Sequence, residues 1–154
     1  SLNLEKYDEW KDDPNMIGDV MRFLDNVLSD FINKAPEQFK DAKYSAERER
    51  SVGLGVMGFH SFLQKHKIPL ESVMAKAWNK KIFKQIDEQV NQASRDLADE
   101  RGACPDAAEY GFKERFSNKT AIAPTASISI ICGGASPGVE PIAANSYTHK
   151  TLSG

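Results

Sequence analysis

Cysteine is scarce in this chain: Cys104 and Cys132 are the only two. They are too few and too far apart in sequence for a disulfide framework or a zinc site. Histidine is nearly as scarce, at three. His60, His66 and His149 fit no zinc spacing, and no Cys or carboxylate completes a set beside them, so they are expected to be solvent-facing or hydrogen-bonded. An excess of one charge is also missing: 20 basic against 22 acidic side chains leave a net charge of −2. That argues against a nucleic-acid surface or a polyanion-binding tail. No apolar run approaches the ~20 residues of a membrane span, and no signal peptide heads the chain. No internal repeat or low-complexity tract appears. The expected setting is a reducing cytoplasm, with neither nucleic acid nor membrane as partner.

What is present suits a soluble globular protein. With 154 residues, 40% hydrophobic and 9% aromatic, the chain has the size and composition of one domain or part of one. Both ends read as cut. The segment SLNL enters like a strand joined partway, and Gly154 follows a patterned stretch with no terminating helix or polar tail. Residues 1–154 are therefore expected to be a fragment of a single domain, truncated at both ends.

Along the chain, residues 1–4 alternate like a short strand, and residues 8–13 are polar and turn-rich. Asp13-Pro14 predicts a helix start, a capping carboxylate followed by proline in the first turn. Ile17, Val20, Met21, Leu24, Val27, Leu28, Phe31 and Ile32 then form one apolar stripe, closed at Lys34-Ala35-Pro36. A charged segment runs to Arg50, with at most a helical turn in YSAERER. Val52, Leu54 and Val56 alternate with Gly53 and Gly55, predicting a strand with one glycine face. A helix follows over residues 59–67. Near Glu71-Ser72 a long helix begins and runs to about Arg101, with Ala75, Trp78, Ile82, Ile86, Val90, Ala93 and Leu97 inward. Its length would be about 45 Å. Gly102 stops it and Pro105 confirms the stop. Residues 106–118 read as loop with a short turn. Residues 120–123 read as a short buried strand ended by Pro124.

Three motifs invite a functional reading that their surroundings weaken. GLGVMG at 53–58 matches the dinucleotide fingerprint, but Glu47, Arg48, Glu49, Arg50 and Ser51 stand where the fingerprint needs an apolar strand. A glycine-lined strand in a crowded barrel is the better expectation. Cys104 and Cys132 are not the close partners that redox pairs usually are, and Arg101 near Cys104 is only a weak argument for reactivity. Both are expected to be structural, Cys132 as a small buried hydrophobe. Glu140 could orient something near the hydroxyl-rich turn or simply cap or salt-bridge, and its role stays open.

The stretch that organises the rest is Thr125-Ala126-Ser127-Ile128-Ser129, three hydroxyls in five residues. If Thr125 starts a helix, the free amides of its first turn and the hydroxyls offer donors to an anion, above all a phosphate. The alternative is an ordinary helix cap.

The string APTASISIICGGASPGVEPIAANSYTHKTLSG resembles the C-terminal part of the large (alpha) subunit of ribonucleoside-diphosphate reductase. SLNLEKY at 1–7, RSVGLGVMGFHSFL at 50–63 and NKKIF…ASRDLADERGACP at 79–105 fit the same family in the same order. The resemblance implies reduction of ribonucleoside diphosphates to deoxyribonucleotides through a cysteine thiyl radical. It implies a helix-rich α/β fold, the second half of a ten-stranded α/β barrel with its surrounding helices. It places the substrate diphosphate on Thr125, Ala126, Ser127, Ile128 and Ser129. It implies no catalytic residue in this stretch, since neither cysteine matches the radical or reducing positions. It implies no metal or cofactor held here, the radical-generating metallocofactor lying in a small (beta) partner subunit. An alpha homodimer and a thioredoxin or glutaredoxin-type reductant are the other implied partners. A non-catalytic phosphate-binding module and a helical scaffold remain the other two readings of the residues themselves.

Overall fold

In the computed structural model of the protein, residues 1–148 are described. His149 and the T-L-S-G end of the chain lie outside the described residues. Helix dominates. Strand β1 (Leu2–Asn3) leads through a 3-10 turn into helix α1 (Tyr7–Trp10), where the sequence suggested only a polar turn. Helix α2 covers Met16–Lys34, α3 Lys40–Glu49, strand β2 Val56–Met57, α4 Phe59–Lys65, α5 Val73–Arg101, α6 Pro105–Glu109 and α7 Ile128–Ile131.

The long helix follows its local signals closely. Ser72 caps α5 by accepting the Ala75 amide on Oγ at 3.1 Å. Gly102, at φ 89°, ends it. Ile82, Ile86, Val90 and Leu97 are buried against α2 and the α4 region. At the aromatic end of the core Tyr7 meets Trp10 and Phe62 edge-on, with ring centroids 5.0 and 5.7 Å apart. Pro14 does not open α2. Asp13 instead takes the Asn15 amide on Oδ1 at 2.9 Å, and the helix begins at Met16.

The apolar stripe of α2 holds for only half its length. Ile17 and Met21 are fully buried, but Val27 is 50% exposed and Phe31 39%. The inward position one turn after Met21 is taken by Asp25, which is 0% exposed. A buried carboxylate demands partners, and it has three guanidinium groups. Arg50, in the left-handed conformation (φ 43°) at the end of α3, reaches Asp25 Oδ1 through Nη2 at 2.7 Å. Arg101 reaches Oδ2 at 2.8 Å, and Arg115 reaches Oδ1 at 2.9 Å. The second half of α2 thus packs on a charged network instead of an apolar core.

The sheet is smaller than a half-barrel. β1 and β2 pair in parallel, Leu2 opposite Val56 and Asn3 opposite Met57. On the other side of the same segment a single parallel bridge joins Leu54 to Thr120. Among the described residues, then, residues 52–57 run between two parallel neighbours, only one of which is a strand. The expected buried strand at 120–123 is a correction: these residues are exposed, Ile122 at 54%. The physical reason is a cavity of about 390 Å³ between Leu54, Val56, Phe83, Ile86 and Ile122. No side chain among the described residues fills that space, so the segment gains hydrogen bonds but no burial.

The glycines of GLGVMG serve packing. A Cβ on Gly55 would lie 2.3 Å from Ala121 O, and one on Gly53 would meet Ala121 Cβ at 3.0 Å. Gly53 is exposed and Gly55 buried. Backbone approach at Gly55 leaves no room for a methyl group, so Gly55→Val is expected to destabilise the protein by about 1–3 kcal/mol through overpacking. Urea unfolding of this variant checks it, and an unchanged midpoint would show that residues 119–121 move aside freely.

Candidate functional site

The hydroxyl turn is built differently from a helix that starts at Thr125. Thr125 adopts φ 52°, a left-handed conformation that β-branched residues seldom accept. The single-turn helix α7 begins at Ile128, with Ser127 before it and no side-chain cap bond. Ser129 N–H donates to Thr125 O at 2.9 Å, closing the turn.

The three hydroxyls separate into two kinds. Thr125 is 5% exposed, and its Oγ1 accepts the Gly138 amide at 2.8 Å. Ser129 is 2% exposed, and its hydroxyl donates to Ala126 O at 3.3 Å. Both are used inside the turn. Ser127 is exposed, and its hydroxyl has no hydrogen-bond partner among the described residues, while its carbonyl accepts the Ile131 amide at 3.3 Å. The amides of Ala126, Ser127 and Ile128, on exposed residues, likewise find no acceptor among the described residues. So the five residues come together in one turn, and the donors without an acceptor among the described residues are three amides, the exposed Ser127 hydroxyl and the O–H of buried Thr125.

No Lys or Arg occurs between Ala121 and Asn145. Lys119 is held elsewhere, donating to Asn91 Oδ1 at 2.9 Å and pairing with Glu114 Oε2 at 3.1 Å. Glu140 is exposed and lines a small cavity of about 110 Å³ with Ile122, Pro124 and Gly138.

The thiols split. Cys104 is 0% exposed at the start of α6, its amide donating to Glu114 O at 3.0 Å. Cys132 corrects the expectation of burial: it is exposed. Helix α7 buries only Ser129 and then turns back through Gly133 and Gly134, at φ 91° and 78°. That corner leaves Cys132 uncovered, with Ile131 83% exposed beside it.

Two histidines are hydrogen-bonded, as expected. His66 Nε2 lies 2.8 Å from Asp8 Oδ2, and His60 Nδ1 accepts the Ile142 amide at 3.0 Å. Among the described residues no group of three His, Cys, Asp or Glu side chains could hold a metal ion. No helix among them is long and apolar enough to cross a membrane.

Sequence reasoning missed the partners of the turn, Gly134, Ala135 and Gly138, and the Ser61–Ser136 pair beside them. The S-P-G motif at 136–138 was visible, but nothing local links it to Thr125 or to α4.

Comparison with known proteins decides the family. The family model for the ribonucleotide reductase barrel domain matches residues 1–114 and 106–154. The chain belongs to the ribonucleotide reductase large-subunit family. It is 49% identical over its whole length to the ribonucleoside-diphosphate reductase large subunit of Invertebrate iridescent virus 6, covering 16% of that protein. It is 46% identical to the corresponding subunit of Invertebrate iridescent virus 3, covering 24%. Among solved structures, the class Id ribonucleotide reductase alpha subunit of Actinobacillus ureae superposes with a TM-score of 0.86 at 40% identity. That superposition covers 93% of this chain and 27% of the other. The chain thus spans about a quarter or less of the reductase subunits it matches.

Proposed function

We propose that this chain is the part of a ribonucleoside-diphosphate reductase large subunit that holds the substrate's diphosphate, and that it completes an α/β barrel with the rest of that subunit. The complete subunit would reduce ribonucleoside diphosphates to deoxyribonucleotides by thiyl-radical chemistry. Its partners would be a ribonucleoside diphosphate, a second alpha subunit, a small beta subunit carrying the radical-generating metallocofactor, and a thioredoxin or glutaredoxin-type reductant. No residue of this chain is assigned to that metallocofactor.

The observation that carries the reading is the row of unpaired amides at Ala126, Ser127 and Ile128 beside the open Ser127 hydroxyl. A diphosphate is a dense anion and needs several donors in one place. Thr125 and Ser129 shape the turn, and the amides with Ser127 contact the phosphate oxygens. The bound diphosphate then fixes one end of the substrate, leaving the ribose to be presented to groups supplied by the rest of the subunit.

Removing one hydroxyl tests it. A hydrogen bond to a charged group contributes roughly 1.5–3 kcal/mol, so Ser127→Ala in the complete subunit is expected to weaken diphosphate binding about tenfold without abolishing it. The backbone donors survive that change. Affinity within twofold of the parent would leave the turn as a structural cap, the scaffold reading.

A further inference from the structure

The S-P-G-V-E-P motif has no part in the diphosphate reading so far, yet the hydrogen bonds converge on it. Gly134 and Ala135 each donate their amide to Ser129 O at 3.1 Å. Gly138 N–H donates to Thr125 Oγ1 at 2.8 Å. Between them, Ser136 and Ser61 bind each other twice. Ser136 N–H donates to Ser61 Oγ at 2.9 Å, and Ser61 N–H donates to Ser136 Oγ at 3.1 Å. Gly58 N–H adds a bond to Ser136 O at 2.7 Å, from the residue that starts α4. Ser136 is 1% exposed.

These contacts form a chain of dependence. Ser61 sits in the first turn of α4, a helix anchored by fully buried Phe62 and Leu63. The reciprocal serine pair ties residues 134–138 to that helix. Gly138, itself at φ 50°, stands where an added Cβ would meet Ala123 O at 3.2 Å. Its amide reaches Thr125, whose left-handed backbone is of the kind that persists only where its surroundings impose it. That conformation sets where the amides of Ala126, Ser127 and Ile128 lie.

We propose that Ser61, Ser136 and Thr125 are positioning residues for the substrate diphosphate: the serine pair fixes the S-P-G segment on α4, and Gly138 N–H then holds Thr125 so that the three amides stay open to the anion. This rests on the diphosphate reading of the turn.

The test uses the complete large subunit with its reductant and radical-generating partner, a ribonucleoside diphosphate as substrate, and inorganic pyrophosphate as competitive probe. Thr125→Val removes the acceptor of Gly138 N–H, and Ser136→Ala removes the acceptor of Ser61 N–H. Each is expected to raise KM for the diphosphate and the inhibition constant of pyrophosphate by about tenfold, with kcat little changed, as lost uniform binding should. Thr125→Ser keeps the hydroxyl and should restore most of the affinity. Because the two serines act as a unit, Ser61→Ala combined with Ser136→Ala should exceed either single change by less than twofold. If Thr125→Val does not fold, Ser61→Ala takes its place, since it removes only the acceptor of Ser136 N–H. A lower melting temperature with KM and pyrophosphate inhibition within twofold of the parent would overturn the proposal, leaving these contacts purely structural. Ser127→Asp is the control. If it weakens pyrophosphate inhibition while the other variants do not, only the positioning role fails. If it too has no effect, the diphosphate reading fails with it.

Discussion

Replacing Asp25 with alanine is expected to cost the protein about 3–5 kcal/mol, the range for removing one partner of a buried, hydrogen-bonded ion pair. Asp25 is 0% exposed, while Arg50 and Arg115 side chains are only 10% and 11% exposed. Taking the carboxylate away leaves two poorly hydrated guanidinium groups facing each other with nothing between them. Arg101, at 28% exposure, can turn towards water, so Arg101→Ala should cost much less: Asp25 would keep two partners. The four residues join α2, the end of α3, the end of α5 and the irregular segment after α6, so the loss should be felt in the global urea midpoint. Burial alone would push the Asp25 carboxyl up, but hydrogen bonds from Arg115, Arg50 and Arg101 outweigh it and hold it below the ordinary aspartate range. Its contribution is therefore complete above the unfolded-state value and lost as pH falls through the folded-state value. Glu100, held down to about 2 chiefly by its hydrogen bond from Arg22, follows the same sign at the surface. Asp25→Asn should accordingly be destabilised at neutral pH and show a flatter loss of stability in acid than the parent. A change below about 1 kcal/mol in Asp25→Ala would mean that the network behaves like a surface ion pair.

This network marks the boundary of what the sequence made legible. Signals carried by neighbours a turn or two apart survived: the Ser72 cap, the inward spacing of Ile82, Ile86, Val90 and Leu97, and the Gly102 stop. Asp25 sits on the inward face four residues after Met21, and that placement was readable as an anomaly. Its partners were not, because Arg50, Arg101 and Arg115 lie in three other segments and have no spacing that relates them to it. Residues 120–123 failed for a similar reason. A short apolar run says that the backbone can pair, which it does through Leu54, but burial depends on what packs across the pair. The site divides in the same way. The hydroxyl and amide chemistry of residues 125–129 was visible, since donors are counted from residue types. Which donors are free was not, because Gly138, thirteen residues after Thr125, takes the Thr125 hydroxyl oxygen. Cys132 looked buried after three apolar neighbours, yet the turn through Gly133 and Gly134 decides its exposure.

Ser127→Asp is expected to weaken diphosphate binding in the complete subunit a hundredfold or more. Ser127 carries the exposed hydroxyl of the turn, flanked by the unpaired amides of Ala126 and Ile128. A ligand held by those amides lies within a few ångströms of the Ser127 side chain. Two unit charges of one sign at about 4 Å repel by roughly 4 kcal/mol at an effective dielectric constant near 20, and a factor of ten corresponds to about 1.4 kcal/mol. No Lys or Arg between Ala121 and Asn145 is there to offset the new carboxylate. The aspartate also competes for the donors themselves, since short acidic side chains readily accept from amides at a helix start. That second effect stabilises the ligand-free turn, so Ser127→Asp should retain or slightly raise its melting temperature while losing affinity. Opposite movement of the two readouts separates a lost anion site from a damaged fold. Titration of the complete subunit with a ribonucleoside diphosphate, at low and high salt, measures it: repulsion between exposed charges shrinks as the Debye length falls from about 10 Å at 0.1 M to about 3 Å at 1 M. Unchanged affinity at low salt would place the diphosphate away from this turn.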